Sequence, residues 1–213
     1  MSGDKQLKEV ILIGYSGHAF VAADIFLCSG YTISGYCDNE KKGHDPFSLP
    51  YMGSEKEAAV IELLNKHGYF IAIGDNEIRK KIYDSLAGKT GKPLNAVHPS
   101  AVIAATASMK NGVFIAANAT INPLVKIGVG VICNTSCSID HECVIEDFAH
   151  IGPGTVLCGN VTVGAGSFIG ANSVVKQGIT IGKNVTIGAG AVIVKNVTDN
   201  SIIIGNPQKQ LNK

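Results

Sequence analysis

The chain has 213 residues, a net charge of +1 at neutral pH, 46% hydrophobic residues and 16% charged residues. Its basic residues are scattered rather than clustered, so we expect no nucleic-acid partner. The polar N-terminus and the strand-sized apolar runs predict no signal peptide, no transmembrane anchor and no membrane insertion. None of the six cysteines forms a CxxC pair, which favours reduced core residues in a cytoplasmic protein and no metal site.

The N-terminal part alternates apolar, strand-like runs with helical segments. Buried strands are predicted for residues 8–14 (KEVILIG), 31–38 (YTISGYCD) and 69–74 (YFIAIG). Helices are predicted for residues 19–30 and 77–86. This order predicts a Rossmann-like βαβ unit, half of a doubly wound α/β sheet, in which ligands bind at the carboxyl ends of the strands.

The turn after the first strand is the predicted substrate site. Gly14 and Gly17 would let backbone amides and a helix N-terminus approach an anion such as a diphosphate. Asp38 could accept a hydrogen bond from a ribose hydroxyl or a base, and the polar loop 39–54 could lie over the site. The GxGxxG fingerprint is absent, so NAD is not predicted, and a tight turn without a ligand is the alternative. The residues assigned to the substrate site are Gly14, Ser16, Gly17, His18, Asp38, Asn39, Gly74 and Asn76.

The second half of the chain repeats every six residues. From Ile115 to Ile193 an aliphatic-type residue returns at each sixth position, fourteen times, and only Cys133 is not Ile, Leu or Val. Helices repeat near 3.6 residues and strands at 2, whereas a six-residue period is typical of a parallel β-helix. We expect the position four residues after each of these to point inward too, and Gly and Asn to occupy left-handed corners. A sandwich of short strands would need variable turn spacing.

The change of pattern sets the predicted domain boundary. Residues 95–99 (NAVHP) read as the junction, because the six-residue period is absent before them. The predicted domains are therefore residues 1–94, the α/β unit, and residues 95–213, the parallel β-helix.

His141 and Glu142 form the candidate catalytic pair. A carboxylate beside an imidazole can hold the ring and raise its basicity. An exposed histidine without a role is the alternative interpretation. The prism histidines His98, His141 and His150 are not spaced to build a three-histidine metal site around one interface. No base–thiol pairing is visible, so a cysteine nucleophile is not expected.

The chain resembles the PglD/NeuD-type sugar acyltransferases over essentially its whole length. The stretches that carry the resemblance are ILIGYSGHA at 11–19, GYCDNE at 35–40, AIGDNEIRKKI at 72–82, VHPSAVI at 97–103, the long segment 134–164 around His141, and GNPQK at 205–209. The sequence departs from the usual form at Tyr15 and Ser16, where Ala and Gly are common, and at Gln208. The resemblance implies a nucleotide-sugar-binding domain followed by a left-handed β-helix.

The resemblance also implies residue roles. His141 would act as general base, supported by Glu142, and Asn134 would lie at the acceptor sugar. Acetyl-CoA would be the co-substrate, bound in a groove between adjacent prisms. Its contacts would come from His150, Gly159, Gly170, Ala171 and Pro207. A homotrimer with sites between neighbours is expected, in which one protomer supplies both His141 and the N-terminal loop.

The function that the resemblance implies is acetyl-CoA-dependent N-acetylation of a nucleotide-linked amino sugar, for a bacterial surface glycan. A UDP-4-amino-4,6-dideoxy-sugar or GDP-perosamine would be a typical acceptor. One alternative is O-acetylation of a sugar such as a sialic acid. Another is a non-catalytic hexapeptide module that binds a nucleotide sugar, against which the pair His141–Glu142 argues. Serine-type acetyl transfer would make the α/β unit superfluous.

Overall fold

The computed structural model describes residues 8–211, which form a small α/β unit followed by a prism of very short strands. The α/β unit contains β1 (Lys8–Ile13), α1 (Gly17–Cys28), β2 (Tyr31–Cys37), α2 (Ala58–His67), β3 (Tyr69–Ile71) and α3 (Asn76–Leu86). Its three strands pair in parallel in the order β2-β1-β3. This is the predicted βαβ arrangement with its third strand.

Three details of this unit differ from the sequence prediction. Helix α1 begins two residues earlier, at Gly17, directly after the turn. The third strand is shorter than predicted, because the chain leaves the sheet after Ile71 and turns towards α3. Helix α2 was not predicted, although the buried side chains of Val60 and Leu64 have the i, i+4 spacing of an amphipathic helix.

The prism is a three-sided parallel β-helix, as expected from the six-residue period, and it is left-handed, as the family resemblance implies. Its strands, in chain order, are β4 (Ala96–Val97), β5 (Val102–Ile103), β6 (Ser108–Met109), β7 (Phe114–Ile115), β8 (Thr120–Ile121), β9 (Lys126–Ile127), β10 (Ile132–Cys133), β11 (Ser138–Ile139), β12 (Val144–Ile145), β13 (His150–Ile151), β14 (Val156–Leu157), β15 (Thr162–Val163), β16 (Phe168–Ile169), β17 (Val174–Val175), β18 (Thr180–Ile181), β19 (Thr186–Ile187), β20 (Val192–Ile193), β21 (Ile202–Ile204) and β22 (Lys209–Leu211).

These strands form three parallel sheets, which we call faces I, II and III. Face I runs β4-β7-β10-β13-β16-β19-β21 and ends with the antiparallel β22; face II runs β5-β8-β11-β14-β17-β20; face III runs β6-β9-β12-β15-β18. The chain visits the faces in the order I, II, III, and paired strands from Ala96 to Ile193 are eighteen residues apart. Each corner therefore belongs to one edge of the prism, I/II, II/III or III/I.

The prism core confirms the predicted inward pattern. All fourteen residues of the six-residue series are buried, with at most 3% exposed. The position four residues later is buried as well, including Thr155, Ser167 and Ser173, which are inside despite their hydroxyl groups. Each of these hydroxyls donates to a glycine carbonyl fifteen residues further along, at 2.7–3.0 Å, so none is left unpaired in the core.

The corners follow a second six-residue series. From Gly112 to Gly190 every sixth residue has a positive φ, and ten of these fourteen positions hold Gly or Asn, as expected. The glycines that directly follow an inward residue are a different set, and a side chain there would meet the next coil. At Gly170, for example, a methyl group would lie 2.5 Å from the backbone nitrogen of Ala189. Close packing of coils, not backbone conformation, requires these glycines.

The α/β unit packs on face I of the prism. Outward residues of that face, Phe114 and Ile132, share a buried cluster with Ala19 and Phe26 of α1 and with Phe70 of β3. The two units meet between α3 and β4, and we keep residues 1–94 and 95–213 as the proposed domains. Among residues 8–211, no helix is long and apolar enough to cross a membrane.

One prediction tests the inward–outward alternation on strand β18. Ile181→Ala should lower the free energy of unfolding by about 2–5 kcal/mol, because it leaves a cavity in the fully buried core. Thr180→Ala, on the exposed side of the same strand, should change it by less than about 1 kcal/mol. Urea unfolding of both variants measures this. Equal losses would contradict the register.

Candidate active site

His141 lies at the II/III edge, between β11 and β12, with 48% of its side chain exposed. Its Nδ1 is 3.0 Å from Oε2 of Glu142, and since a carboxylate only accepts, Nδ1 carries the proton and Nε2 is the basic nitrogen. The backbone N–H of His141 donates to Asp140 Oδ1, which also accepts from the amide of Asn122. The ring lies over Gly159, where a methyl group would come within 2.5 Å of Cε1 and Nε2. These contacts give one imidazole orientation and need glycine beneath it.

The coil that contains His141 and Glu142 departs from the pattern of Gly or Asn at left-handed corners. Glu142 has φ 61°, and the two other corners of the same coil, Ser136 and Phe148, have φ 56° and 58°. Side chains other than Gly and Asn pay a conformational cost in this region. At Glu142 the corner brings its carboxylate to the same side as the imidazole of His141, which a straight strand would not do. Backbone strain is thus present where the candidate pair lies.

His150 lies on face I, buried against the edge of the Phe168 ring, with centroids 5.0 Å apart. The side chain of Asn134 has a fixed orientation, because its Oδ1 accepts from the backbone N–H of Thr135 at 2.8 Å. Its amide nitrogen therefore donates to His150 Nε2, at 3.2 Å. The proton of the neutral ring is then on Nδ1, which lies near the Gly74 carbonyl without completing a hydrogen bond. Asn134 and His150 are brought together as one unit with a defined tautomer.

His18 lies beside His150 in a pocket of about 430 Å³ between the two units. Its Nε2 is buried and has no hydrogen-bond partner among residues 8–211. Burial, followed by the charges of His150 and Arg79, lowers the pKa of His18 to about 3. Burial, followed by Arg79, lowers the pKa of His150 to about 4. The pocket therefore holds two uncharged imidazoles, and Gly74 and Asn76 lie on its wall.

The predicted nucleotide turn is preorganised by Asp38. Its Oδ2 accepts from the backbone N–H of Tyr15, at 3.1 Å, and its Oδ1 accepts from the N–H of Asn39 and pairs with Lys42. Ser16 is exposed at the N-terminus of α1, and its side chain makes no capping bond. Gly14, at φ 91°, packs its α-carbon against Ile73 at the end of the third strand.

Tyr15, one of the departures from the family pattern, holds the loop over this turn. Its ring is buried and stacks on Tyr36, with centroids 4.1 Å apart. Its hydroxyl donates to Asp45 Oδ1 at 2.6 Å, and the same oxygen accepts from the N–H of Leu49. Burial and the Asp45 hydrogen bond raise the pKa of Tyr15, so the hydroxyl remains a donor.

The residues assigned to CoA are spread along the prism. Gly170 and Ala171 form a corner of the I/II edge, the edge that also carries Asn134. Gly159 lies on the II/III edge beneath His141. Pro207 lies exposed in the turn between β21 and β22. Gln208, the other departure, accepts from the backbone N–H groups of Val194 and Lys195, which fixes this terminal hairpin on the last coil.

His141 and the face I pocket do not meet within one chain. In a three-sided prism the II/III edge lies opposite face I, which carries His150 and on which the α/β unit with His18 packs. The expectation that one protomer supplies both His141 and the N-terminal loop to a single site is therefore wrong for this fold. A site that uses both needs His141 from another copy of the chain.

Two further features lie outside these sites. An open groove of about 600 Å³ on face III contains none of the predicted site residues. Within residues 8–211, Asp24, Cys28 and His98 bring three potential metal-ligand atoms within 4.8 Å of one another. The Nδ1 of His98 already accepts from the N–H of Ser100 at 3.0 Å.

Arg79 and Asn76 are the contacts that join the candidate pocket to the prism, and Arg79 was not anticipated. The guanidinium of Arg79 donates to the prism carbonyls of Gly130 and Phe148. The amide of Asn76 donates to the carbonyls of Gly166 and Ser167. The sequence analysis assigned Asn76 to the substrate site. In the structure both polar groups of its side chain bond within the protein, because the amide donates to the prism and Oδ1 accepts from Arg79.

Known proteins match both units. The model of the PglD N-terminal domain matches residues 9–86, and that of the bacterial transferase hexapeptide (six repeats) matches residues 142–177 and 160–195. A mutant of perosamine N-acetyltransferase from Caulobacter crescentus, in complex with CoA and GDP-perosamine, is 31% identical over 96% of this chain and 97% of that chain, with a TM-score of 0.89. This chain belongs to the PglD-type family of hexapeptide-repeat sugar acyltransferases.

Two further solved structures have the same architecture. The acetyltransferase domain of PglB from Neisseria gonorrhoeae, in complex with acetyl coenzyme A, is 32% identical over 96% of this chain and all of that chain, with a TM-score of 0.88. WeeI from Acinetobacter baumannii is 20% identical over 95% of this chain and 99% of that chain, with a TM-score of 0.76, which shows a shared fold.

The two buried imidazoles predict a pH-dependent stability. Their pKa values are lowered on folding, so the unfolded chain binds more protons below pH 6.5, and stability should fall as the pH drops towards 4. Between about pH 7.5 and pH 5, His150→Gln should reduce this loss by about 2 kcal/mol. Urea unfolding at both pH values measures it. His44→Gln, at an exposed histidine, is the control; a loss unchanged in His150→Gln would contradict the buried neutral ring.

Proposed function

We propose that this protein transfers the acetyl group of acetyl-CoA to the amine of a nucleotide-linked amino sugar. The observation that carries the proposal is the pair His141–Glu142, an exposed imidazole held through Nδ1 with its basic Nε2 over Gly159. The full-length likeness to a perosamine N-acetyltransferase and to an acetyltransferase domain supports the reaction class.

In the proposed reaction His141 takes the proton and Glu142 holds the resulting imidazolium. The amine nitrogen attacks the thioester carbonyl carbon, and the proton on that nitrogen passes to Nε2 of His141. The C–S bond then breaks, and the sulfur leaves and takes this proton from the imidazolium of His141, which forms the thiol and restores the base. The carboxylate of Glu142 keeps its hydrogen bond to Nδ1 and stabilises the charged ring, as expected for a general base beside a carboxylate. No covalent intermediate on the protein is required.

The face I pocket would receive the reacting groups. His150 has its proton on a buried Nδ1 that has no hydrogen-bond partner in the described part of the chain, and such a donor is suited to a developing oxyanion. The proposal assigns the nucleotide to the turn formed by Gly14, Ser16 and Gly17, with Asp38 reading a sugar hydroxyl or base. Asn39, Gly74 and Asn76 remain proposed substrate residues, and Gly170, Ala171 and Pro207 proposed CoA contacts.

The proposal requires a homotrimer with one site at each interface. His141 projects from the edge opposite face I, so a neighbouring copy would bring it to the pocket of His18 and His150. Face II carries exposed outward valines at 102, 156 and 174, apolar surface that contact between copies would cover. We propose that the enzyme acts in the cytoplasm, where acetyl-CoA and activated sugars are available.

Two alternatives remain testable. O-acetylation of a sugar would use the same base and thioester, and the structure contains no feature that favours a hydroxyl over an amine. A non-catalytic module that binds a nucleotide sugar would not need a histidine whose ring is held by the carboxylate of Glu142, a residue in a strained backbone conformation. N-acetylation is preferred because a full-length relative is a perosamine N-acetyltransferase.

The first prediction concerns the base. Acetyl-CoA with a panel of a UDP-4-amino-4,6-dideoxy-sugar, GDP-perosamine and free sialic acid should release thiol with one amino sugar. His141→Ala should lower kcat by ~10²- to 10⁴-fold, because the substitution removes the general base. Glu142→Gln, which keeps the size of the side chain, should cost about tenfold.

The control for the base is Gln177→Ala, which changes the exposed position two coils above His141 on the same edge. Mass spectrometry and resistance of the product to hydroxylamine distinguish an amide from an ester. Thiol release that survives His141→Ala would remove the proposed base. Release with sialic acid alone would move the function to O-acetylation.

The second prediction tests the shared site by subunit mixing. His141→Ala and His150→Ala should each be inactive alone. Randomly mixed trimers of the two should regain about a quarter of wild-type activity, since about one site in four then combines an intact His141 with an intact His150 from its neighbour. Co-expression with two affinity tags gives the mixed species. No recovery would place both residues in a site within one chain.

A further inference from the structure

Arg79 of α3 is a buried cation that the proposed chemistry does not use. Only 1% of the residue is exposed, and all five of its N–H donors are occupied. Its partners, all uncharged oxygens at 2.8–3.1 Å, are the carbonyls of Ile73, Gly74, Gly130 and Phe148 and the side-chain Oδ1 of Asn76. Among residues 8–211, no carboxylate lies within ion-pair distance of the guanidinium.

These five hydrogen bonds join the two units of the chain. Three are accepted by residues 73–76, which comprise the loop after β3 and the first residue of α3. The other two are accepted by corners of the III/I edge on successive coils. The coil that contains Phe148 continues directly into His150. Lysine has only three donors, on a flexible side chain, and could not donate to all five acceptors in the planar arrangement of a guanidinium.

Gly74 connects this cross-link to the pocket. Its carbonyl accepts from Arg79 Nη1 at 3.0 Å and lies near Nδ1 of His150. Its α-carbon packs against His18, where an added methyl group would be 3.6 Å from the histidine Cβ. Gly74, His18 and His150 all line the same pocket, whereas Arg79 does not. The guanidinium therefore contacts the pocket wall from outside, through the carbonyl of Gly74.

We infer that Arg79 is a positioning residue for this pocket: its guanidinium fixes the loop 73–76 on the coil that carries His150, and places a permanent positive charge behind His18 and His150. The inference rests on the proposed function for its kinetic readout alone. The side chain touches neither substrate, because every donor is used inside the protein.

The charge has a specific consequence for the pocket. Burial is the largest cause of the lowered pKa of both histidines, and Arg79 adds to it at each. The charged and titratable groups around the pocket are Arg79, the two histidines, Asp75, which acts on Arg79, and Glu77 on the pocket wall. Arg79 itself keeps a pKa of about 10 despite burial, so it stays charged at neutral pH. Two uncharged imidazoles therefore line the pocket.

Arg79→Lys and Arg79→Gln separate the two roles, with Lys81→Gln, on the exposed side of the same helix, as control. Arg79→Lys keeps the charge and loses the five-bond geometry, so the KM for the amino sugar should rise about tenfold or more while the KM for acetyl-CoA stays within about twofold. The pKa values of His18 and His150, followed by NMR of the ring Cε1–H signals in the intact protein, should remain low.

Arg79→Gln removes the charge, so both histidine pKa values should rise, while staying below 6.5 because the rings remain buried. Unchanged histidine titration in Arg79→Gln, or an unchanged sugar KM in Arg79→Lys, would overturn the inference. If Arg79→Gln does not fold, Arg79→Lys decides: a risen histidine pKa there, with its charge present, would overturn it. The NMR readout stands even if the proposed reaction is wrong.

Discussion

One packing constraint underlies the structure: an aliphatic side chain must fill the prism interior at every sixth residue. With three faces per turn, this constraint places residues eighteen apart in contact and assigns each residue between strands to one edge. His141 therefore lies over Gly159, and a side chain at 159 would displace the ring. The same constraint puts His141 opposite face I, on which the α/β unit and His150 lie. The proposed division of the site between two copies rests on this placement.

The candidate catalytic residues lie in a coil whose corners depart from the pattern of Gly and Asn. Gly and Asn fill most left-handed corners, but one coil has Ser136, Glu142 and Phe148 at all three. Glu142 at its corner reaches Nδ1 of His141, and Phe148 at its corner offers its carbonyl to Arg79. Leu124, in the preceding coil, is the one other departure in the series from Gly112 to Gly190. The conformational cost is therefore concentrated in the coil of His141, as expected for functional positions.

The sequence predicted periodic features well and long-range polar contacts poorly. The fourteen inward residues and the βαβ order were visible because each repeats or alternates at a fixed spacing. The family resemblance added the roles of His141, Glu142, Asn134 and His150, which stay proposals. Arg79 could not be found, because a basic residue in a polar helix usually faces solvent, and the two acceptors that tie it to the prism are backbone carbonyls distant in sequence. Helix α2 was missed although its Val60–Leu64 spacing was available.

The account is tested most directly by a structure of the assembled protein with CoA and its amino-sugar acceptor, solved on a variant that retains His141. It predicts Nε2 of one protomer's His141 within about 3.2 Å of the acceptor amine, which is bound in the pocket of the neighbouring protomer beside His18 and His150. An amine bound far from every His141, or reached by His141 of the same chain that binds the nucleotide, would contradict it.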